Sequence, residues 1–215
     1  ALHQAALDEA AGMGVLAGSI GPLIASYRPD IHPPHDVAVP LYTEIAQLIA
    51  PSVDLILAET VSSIAQGKAV LEAGLTTGKP VWLAFTVDDT DGSKLRSGED
   101  VAEVLQFTDA AALLINCASP EAVTTAVGII AQGDIPVGAY ANGFTKISEG
   151  FLQDKPTVDA LTVRTDLTPD AYAAFAMEWI AQGATIVGGC CEVGPAHIAR
   201  MAKAITDAGH RIVAP

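Results

Sequence analysis

The stretch that decides the fold lies near the C-terminus and reads Ala184-Thr185-Ile186-Val187-Gly188-Gly189-Cys190-Cys191-Glu192-Val193-Gly194-Pro195. It joins a short apolar run, typical of a buried strand, to two glycines, two adjacent cysteines and a turn containing proline. The only other cysteine in the chain, Cys117, follows a second apolar run at residues 110–116. All three thiols therefore stand where a predicted strand gives way to a loop. In a barrel of parallel strands these loops share one face, and that face carries the chemistry.

Three thiolates that converge on this face predict a zinc site whose fourth position is open, which is the arrangement of catalytic zinc. Neighbouring residues of a regular strand point to opposite faces, so Cys190 and Cys191 need irregular backbone to reach one ion. Gly188 and Gly189 permit a sharp turn and a close approach of the backbone to the ion. The alternative is that the cysteines are small buried apolar residues. A disulfide between the adjacent Cys190 and Cys191 is disfavoured by its geometry.

The same residues carry a resemblance to a known family. The segment 188–191, followed by Pro195-Ala196-His197-Ile198, and the upstream Asn116-Cys117-Ala118-Ser119-Pro120 resemble the homocysteine S-methyltransferase family. The likeness continues through residues 17–22, 54–60 and 139–143 and covers nearly the whole chain.

The resemblance implies a fold and a reaction. The fold is an α/β parallel (β/α)8 TIM-type barrel, and Zn²⁺ is held by Cys117, Cys190 and Cys191, which are then both the metal ligands and the catalytic residues. The implied reaction moves a methyl group from a sulfonium or quaternary ammonium donor to the thiol of homocysteine, which gives methionine. Homocysteine and the methyl donor are then the expected small-molecule partners.

Three further residues are candidates for substrate binding. Glu59 ends a predicted strand, and from position alone it is either a capping or salt-bridge residue or a ligand for a positively charged group. The resemblance favours binding of the amino group of homocysteine. Asn142 and Thr86, also near strand ends, are weaker candidates for polar contacts with the substrate.

The order of elements predicts six strands that alternate with helices, which is typical of a parallel α/β architecture. A closed barrel needs eight βα units, so we expect that the first two are missing and that residues 1–215 form a single, N-terminally incomplete domain. The Asp-Gly-Gly segment of the family has no counterpart here. Further predictions are a helix at residues 2–11, an irregular loop at 23–40 and a helix at 41–49.

Composition narrows the function classes. The chain has 215 residues and a formal net charge of −14, which argues against nucleic-acid binding because phosphates would be repelled. No apolar run approaches the roughly 20 residues of a membrane span. Three cysteines without an evident pairing predict a reducing, cytoplasmic setting. A homo-oligomer is left open.

Two rival functions stay open at this point. A metal-free barrel lyase or isomerase would favour a lysine at a strand end, whereas Lys68, Lys79 and Lys94 lie in predicted helices or loops. A catalytically silent zinc-binding or assembly subunit is supported only by the missing N-terminal motif. The aspartate-rich segment 88–93 lacks the spacing of a calcium loop and is predicted to be a solvated turn.

Aromatic side chains near the strand ends are candidates for a cage around a quaternary ammonium group, although they fit a core equally well. They are Tyr27, Trp82, Phe85, Tyr140 and Phe144.

Overall fold

The computed structural model describes residues 14–153 and 157–213. Within these residues six parallel strands form one sheet in the order β1-β2-β3-β4-β5-β6, so strands that follow one another in sequence are also neighbours in space. The strands are β1 (Ala17–Ile20), β2 (Leu55–Val61), β3 (Val81–Phe85), β4 (Ala112–Asn116), β5 (Val137–Tyr140) and β6 (Ile186–Val187). The α-helices are α1 (His35–Ile49), α2 (Ile64–Leu75), α3 (Pro120–Ile130), α4 (Pro169–Ala181) and α5 (Pro195–Asp207).

This alternation of parallel strands and helices confirms the α/β prediction and is the arrangement of a partial TIM-type barrel. Strands of such a sheet are covered on both faces, which explains their continuous hydrophobicity. All five residues of β4 are buried. One side of the sheet packs against the helices, and the other carries a smaller cluster around Ala84, Ala112 and Leu114, to which Trp82 and Tyr140 add their rings.

Helix α1 begins earlier than the sequence predicts. Residues 23–40 were predicted to be irregular because of their prolines, yet the helix starts at His35 and contains Pro40. The buried face Ala38, Tyr42 and Ala46 repeats every four residues. Packing of this face against the core therefore outweighs the single backbone hydrogen bond that Pro40 cannot donate.

Within the described residues, short 3-10 segments connect some of the regular elements. One of them is Val101–Gln106, in the loop after β3. Four other 3-10 segments are Pro29–Ile31, Ala50–Ser52, Glu149–Leu152 and Val158–Ala160. The helix predicted at residues 2–11 lies outside the described residues.

Hydroxyl caps fix several helix starts on the face where the strands end. The side chains of Ser63, Ser119 and Thr168 each accept a hydrogen bond from a backbone N–H in the first turn of the following helix. Such caps typically stabilise a helix by about 1 kcal/mol, and here they also define where each strand-to-helix loop ends.

Within the described part of the chain, no helix is long and apolar enough to cross a membrane.

Candidate active site

The three cysteines come together at the carboxyl ends of β4 and β6. Their sulfur atoms all lie within 4.8 Å of one another. Cys117 and Cys190 are joined as a disulfide, whereas Cys191 is an exposed free thiol. The sulfurs of Cys190 and Cys191 are 3.9 Å apart, close to the roughly 3.8 Å that separates two thiolates bound to tetrahedral zinc. After reduction the donor set suits zinc, because three soft sulfur ligands converge on one point.

Backbone hydrogen bonds hold the cysteine pair beside the end of β5. The amide of Cys190 donates to the carbonyl of Ala141 (3.0 Å), and the amide of Gly143 donates to the carbonyl of Cys191 (2.8 Å). Parallel pairing thus continues past the last residues of β5 and β6. Glu192 then turns the chain with a φ of 64°.

Position 189 requires a glycine because of close packing and not because of an unusual backbone angle. A Cβ atom built at this position would lie 2.3 Å from Cγ1 of Val193, a distance that side chains do not reach. Gly188 and Gly189 are not among the described glycines with positive φ. The close packing at this turn is against Val193, and the sharp change of direction falls at Glu192 rather than at the glycines.

Cys117 occupies a strained position at the end of β4. Its φ is 50°, in the left-handed region that non-glycine residues seldom adopt. Its amide donates to the carbonyl of Tyr140 (3.2 Å), and its own carbonyl accepts a hydrogen bond from the hydroxyl of Thr86 (3.2 Å). Thr86 is fully buried, so it contacts the backbone of a candidate ligand rather than open space.

Glu59 faces the cluster from β2. Its carboxylate accepts hydrogen bonds from the hydroxyls of Ser19 and Tyr140, the latter at 3.1 Å. Burial, and then the charge of Glu59, raise the pKa of Tyr140 well above its usual range, which keeps this hydroxyl a donor. Although Cys191 is exposed as a residue, partial burial of its sulfur raises the pKa of the thiol, and the carboxylates of Glu192 and Glu59 raise it further. Glu59 therefore lies within electrostatic reach of a cysteine.

A buried amide links the surroundings of Glu59 and Cys117. Oδ1 of Asn116 accepts from the amide of Thr60 at 3.0 Å. Thr60 has a φ of 58°, and the register between β2 and β3 shifts between Ala58 and Val61. This irregularity sets the direction of the backbone directly after Glu59. No local sequence signal predicts this role of Asn116, because its partner Thr60 lies 56 residues away.

Asn142 is buried at the end of β5. Its Oδ1 accepts from the amide of Phe144 at 3.0 Å, whereas its Nδ2 has no partner with hydrogen-bond geometry among the described residues. The amide side chain still interacts with the Tyr27 hydroxyl strongly enough to oppose part of the rise in the pKa of Tyr27. A buried donor of this kind is available to a ligand.

The prediction of a solvated turn at residues 88–93 is wrong for Asp89. Its side chain is only 6% exposed and pairs with Nη2 of Arg96 at 2.9 Å. Its carboxylate also accepts from the amides of Ser119 (2.9 Å) and Ile147 (2.8 Å). Asp89 thus ties together the loops that follow β3, β4 and β5. No local sequence signal separates it from the turn-forming Asp88, because its partners are 30 and 58 residues away.

The aromatic candidates divide between site and core. Phe85 and Phe144 are buried, and Trp82 belongs to the cluster on the inner side of the sheet. Tyr140 contacts Glu59. Tyr27 lies with its ring 5.3 Å below the guanidinium of Arg96. Burial raises the pKa of Tyr27, and the charge of Cys191 raises it further, so Tyr27 lies within electrostatic reach of a cysteine.

A cavity of about 930 Å³ opens at the same end of the sheet, and its lining includes Tyr27 and Arg96 but none of the three cysteines. It lies among loops that follow β1, β2, β3 and β5 and is lined by residues that include Tyr27, Arg28, Ser63, Arg96 and Leu152. It is large enough to hold a small organic molecule.

Comparison with known proteins identifies the family. A family model described as homocysteine S-methyltransferase matches residues 1–205. The chain belongs to the homocysteine S-methyltransferase family. This membership confirms the resemblance drawn from the sequence.

Two curated relatives show what share of their length this chain covers. The homocysteine S-methyltransferase of Escherichia coli (strain K12) is 28% identical over 209 residues, which are 89% of this chain and 63% of the relative. Homocysteine S-methyltransferase 4 of Zea mays is 27% identical over 163 residues, which are 72% of this chain and 45% of the relative. The chain therefore spans less than two thirds of either curated relative.

Solved structures support the fold. The metallated form of the homocysteine methyltransferase MmuM from Escherichia coli matches with a TM-score of 0.70 and 25% identity, over 93% of this chain and 65% of that chain. The oxidized form matches with a TM-score of 0.70 and 23% identity, over 94% and 65% of the two chains.

Proposed function

We propose that this chain is the homocysteine-binding barrel of a zinc-dependent methyltransferase. It transfers a methyl group from a sulfonium or quaternary ammonium donor to the thiol of homocysteine and so forms methionine. The observation that carries the proposal is the convergence of three cysteine sulfurs within 4.8 Å at the strand ends, next to Glu59 and within a family that performs this reaction.

In this proposal Cys117, Cys190 and Cys191 hold one zinc ion in the reduced protein. Reduction is required because thiolates bind metals and disulfide sulfurs do not. When bound, zinc would act as a Lewis acid that lowers the pKa of a homocysteine thiol and keeps the thiol deprotonated at neutral pH. The three cysteines would leave the ion open to one further ligand, the thiol of the substrate.

The chain's own residues bind and orient the substrate. The carboxylate of Glu59, held by Ser19 and Tyr140, accepts hydrogen bonds from the ammonium group of homocysteine. Nδ2 of Asn142, which has no partner with hydrogen-bond geometry among the described residues, donates to a polar atom of the substrate. Thr86 fixes the backbone of Cys117. Holding sulfur and methyl group in line accelerates the transfer by removing the entropy cost of the encounter.

The transfer itself balances without a redox partner. The homocysteine sulfur forms the new bond to the methyl carbon, while the bond from that carbon to the donor sulfur or nitrogen breaks. The electron pair of the broken bond stays on the donor, which leaves as a neutral thioether or amine. The proton of the homocysteine thiol is released on binding.

The setting of the protein follows from its cysteines. Because the site needs three reduced thiols, we place the protein in the cytoplasm, where thiols stay reduced, and in the biosynthesis of methionine. The expected partners are homocysteine and the donor. The net charge of −14 opposes binding to nucleic acid.

The first experiment measures zinc per chain in protein that was purified under reducing conditions, and the sulfur coordination by X-ray absorption. We expect one zinc per chain with three sulfur ligands, rising to four when homocysteine is added. Four protein ligands without substrate would indicate a structural site. Absence of zinc would contradict the proposal and favour a metal-free barrel enzyme.

A second experiment tests Glu59. Glu59→Gln removes the charge but keeps the size, and we expect the KM for homocysteine to rise about tenfold or more, since a charged hydrogen bond contributes roughly 1.5–3 kcal/mol. Glu192→Gln is the control, because it removes a neighbouring carboxylate without touching Ser19 or Tyr140. If both variants raised the KM equally, Glu59 would act only through its negative charge and not by direct contact with the ammonium group.

A further inference from the structure

Arg96, in the loop after β3, is the most unusual charged residue near the site. Its side chain is only 10% exposed and it lines the cavity of about 930 Å³. Of its three guanidinium nitrogens, Nη2 alone has a hydrogen-bond partner among the described residues, namely Asp89. Nε is sealed from solvent and has no partner within that part of the chain. A buried donor without a partner destabilises the ligand-free protein, and an acceptor supplied by a ligand relieves this cost.

The charge of Arg96 is only partly compensated. The carboxylate of Asp89 also accepts from the amides of Ser119 and Ile147, so its negative charge is shared among three donors. Two of these contacts come from loops other than the one that carries Arg96. The guanidinium therefore keeps capacity for a second anion.

The carboxylates that line the same cavity are already engaged. Asp30 accepts two hydrogen bonds from Arg28. Glu99 accepts from the amide of Ile64 and from the hydroxyl of Ser97. An entering anion thus meets a cavity in which the charge of Asp30 is paired with Arg28 and the carboxylate of Glu99 is turned towards local hydrogen-bond donors.

Backbone contacts place Arg96 close to the cysteine cluster. The amide of Arg96 donates to the carbonyl of Thr86 (3.4 Å), and the hydroxyl of Thr86 donates to the carbonyl of Cys117 (3.2 Å). The guanidinium of Arg96 stacks over the ring of Tyr27, 5.3 Å from its centre. A ligand that reacts at the cysteines therefore has a cationic group close by, at the end of β3.

We propose that Arg96 binds the carboxylate of a substrate that lies in this cavity with its reacting end towards the cysteines. This inference rests on the proposed function. The shared chemistry is an α-carboxylate, which both homocysteine and an amino-acid methyl donor carry. Planar guanidinium groups recognise carboxylates more specifically than ammonium groups do, so Arg96 sets the preference for substrates that are acids.

The test compares each acid with its decarboxylated analogue by titration calorimetry on the full chain, loaded with zinc under reducing conditions. The first pair is homocysteine and 3-aminopropane-1-thiol, and the second is S-methylmethionine and (3-aminopropyl)dimethylsulfonium. Arg96→Lys retains the positive charge for Asp89 but loses the planar fork. We expect it to weaken binding of one acid about 10- to 100-fold and to leave the corresponding analogue within twofold.

The two acid–analogue pairs report on homocysteine and on the donor separately. The pair in which Arg96→Lys weakens only the acid therefore identifies which substrate's carboxylate Arg96 binds. Arg200→Lys, at an ion pair with Asp170 on the surface, is the control and should change neither pair. Equal weakening of acid and analogue, or no change in either pair, overturns the proposal and leaves Arg96 as a support for Tyr27 and Asp89. Tyr27→Phe keeps the ring, so it should preserve the discrimination.

Failure of this inference is distinguishable from failure of the proposed function. Binding is measured without turnover, and zinc content is measured on the same samples. If the unmodified protein binds zinc and homocysteine but Arg96→Lys has no selective effect, only the role of Arg96 is refuted. If the unmodified protein binds neither zinc nor either acid, both are refuted.

Discussion

Replacement of Asp89 by alanine should destabilise the protein strongly. Asp89 is 6% exposed, and its carboxylate accepts from Arg96 and from the backbone amides of Ser119 and Ile147. Removing one partner of a buried ion pair typically costs about 3–5 kcal/mol, because the other charge stays buried without compensation. A domain is stable by only about 5–15 kcal/mol, so this loss is a large share of the total.

The measurement is urea unfolding of reduced protein, followed by far-UV circular dichroism. We expect Asp89→Ala to lower the free energy of unfolding by about 3–5 kcal/mol with an unchanged slope against urea. Asp100→Ala is the matched control, because Asp100 comes from the same loop and pairs with Lys94, but the two side chains are 63% and 40% exposed. We expect it to lose less than about 1 kcal/mol.

The reasoning would be refuted if the two variants lost equal stability, or if Asp89→Ala lost less than about 1 kcal/mol. Asp89→Asn refines the test, since the amide keeps an oxygen for Ser119 but presents no negative charge to Arg96. Its loss should lie between those of the alanine variant and the unmodified protein. A double-mutant cycle with Arg96→Met then separates the ion pair from the two backbone contacts.

Three more outcomes can be measured on the same protein. Cys191→Ser should lower zinc content from about one per chain to near zero in metal analysis, and retention of a full equivalent would show that the ion is held elsewhere. Gly138→Ala should lower stability by about 1–3 kcal/mol in urea unfolding, because its Cβ would lie 2.6 Å from Leu114; an unchanged midpoint would mean that the side chain yields freely. Thr86→Val removes the hydrogen bond to the carbonyl of Cys117 and should reduce kcat more than the KM for homocysteine, and a change confined to KM would instead indicate direct substrate contact.

The sequence was sufficient to predict the repeated strand–helix units of the fold. Six apolar runs at parallel-strand spacing gave six strands in the observed order. The cysteines could be placed together because each one follows such a run. Helix α1 was placed too late, since the prolines before Leu41 are a local signal, whereas burial of Ala38 and Tyr42 is decided by tertiary packing.

The residues that sequence reasoning missed are those whose partners lie far along the chain. Asp89 looks like its neighbours in an aspartate-rich turn, and only the amide of Ile147, 58 residues away, shows that it is buried. Arg96 carries no motif, yet it packs on Tyr27. Contacts of this kind depend on which loops meet at the end of the barrel, and spacing along the chain does not encode them.

The backbone pairing that holds Cys190 and Cys191 beside Ala141 and Gly143 has a consequence for the order of events. In small zinc domains the metal organises the chain, so folding and metal binding are one process. Here the sheet fixes these two proposed ligands with main-chain hydrogen bonds that do not depend on an ion. Removal of zinc with a chelator should therefore leave the far-UV circular dichroism spectrum intact, and the apoprotein should recover its metal without refolding.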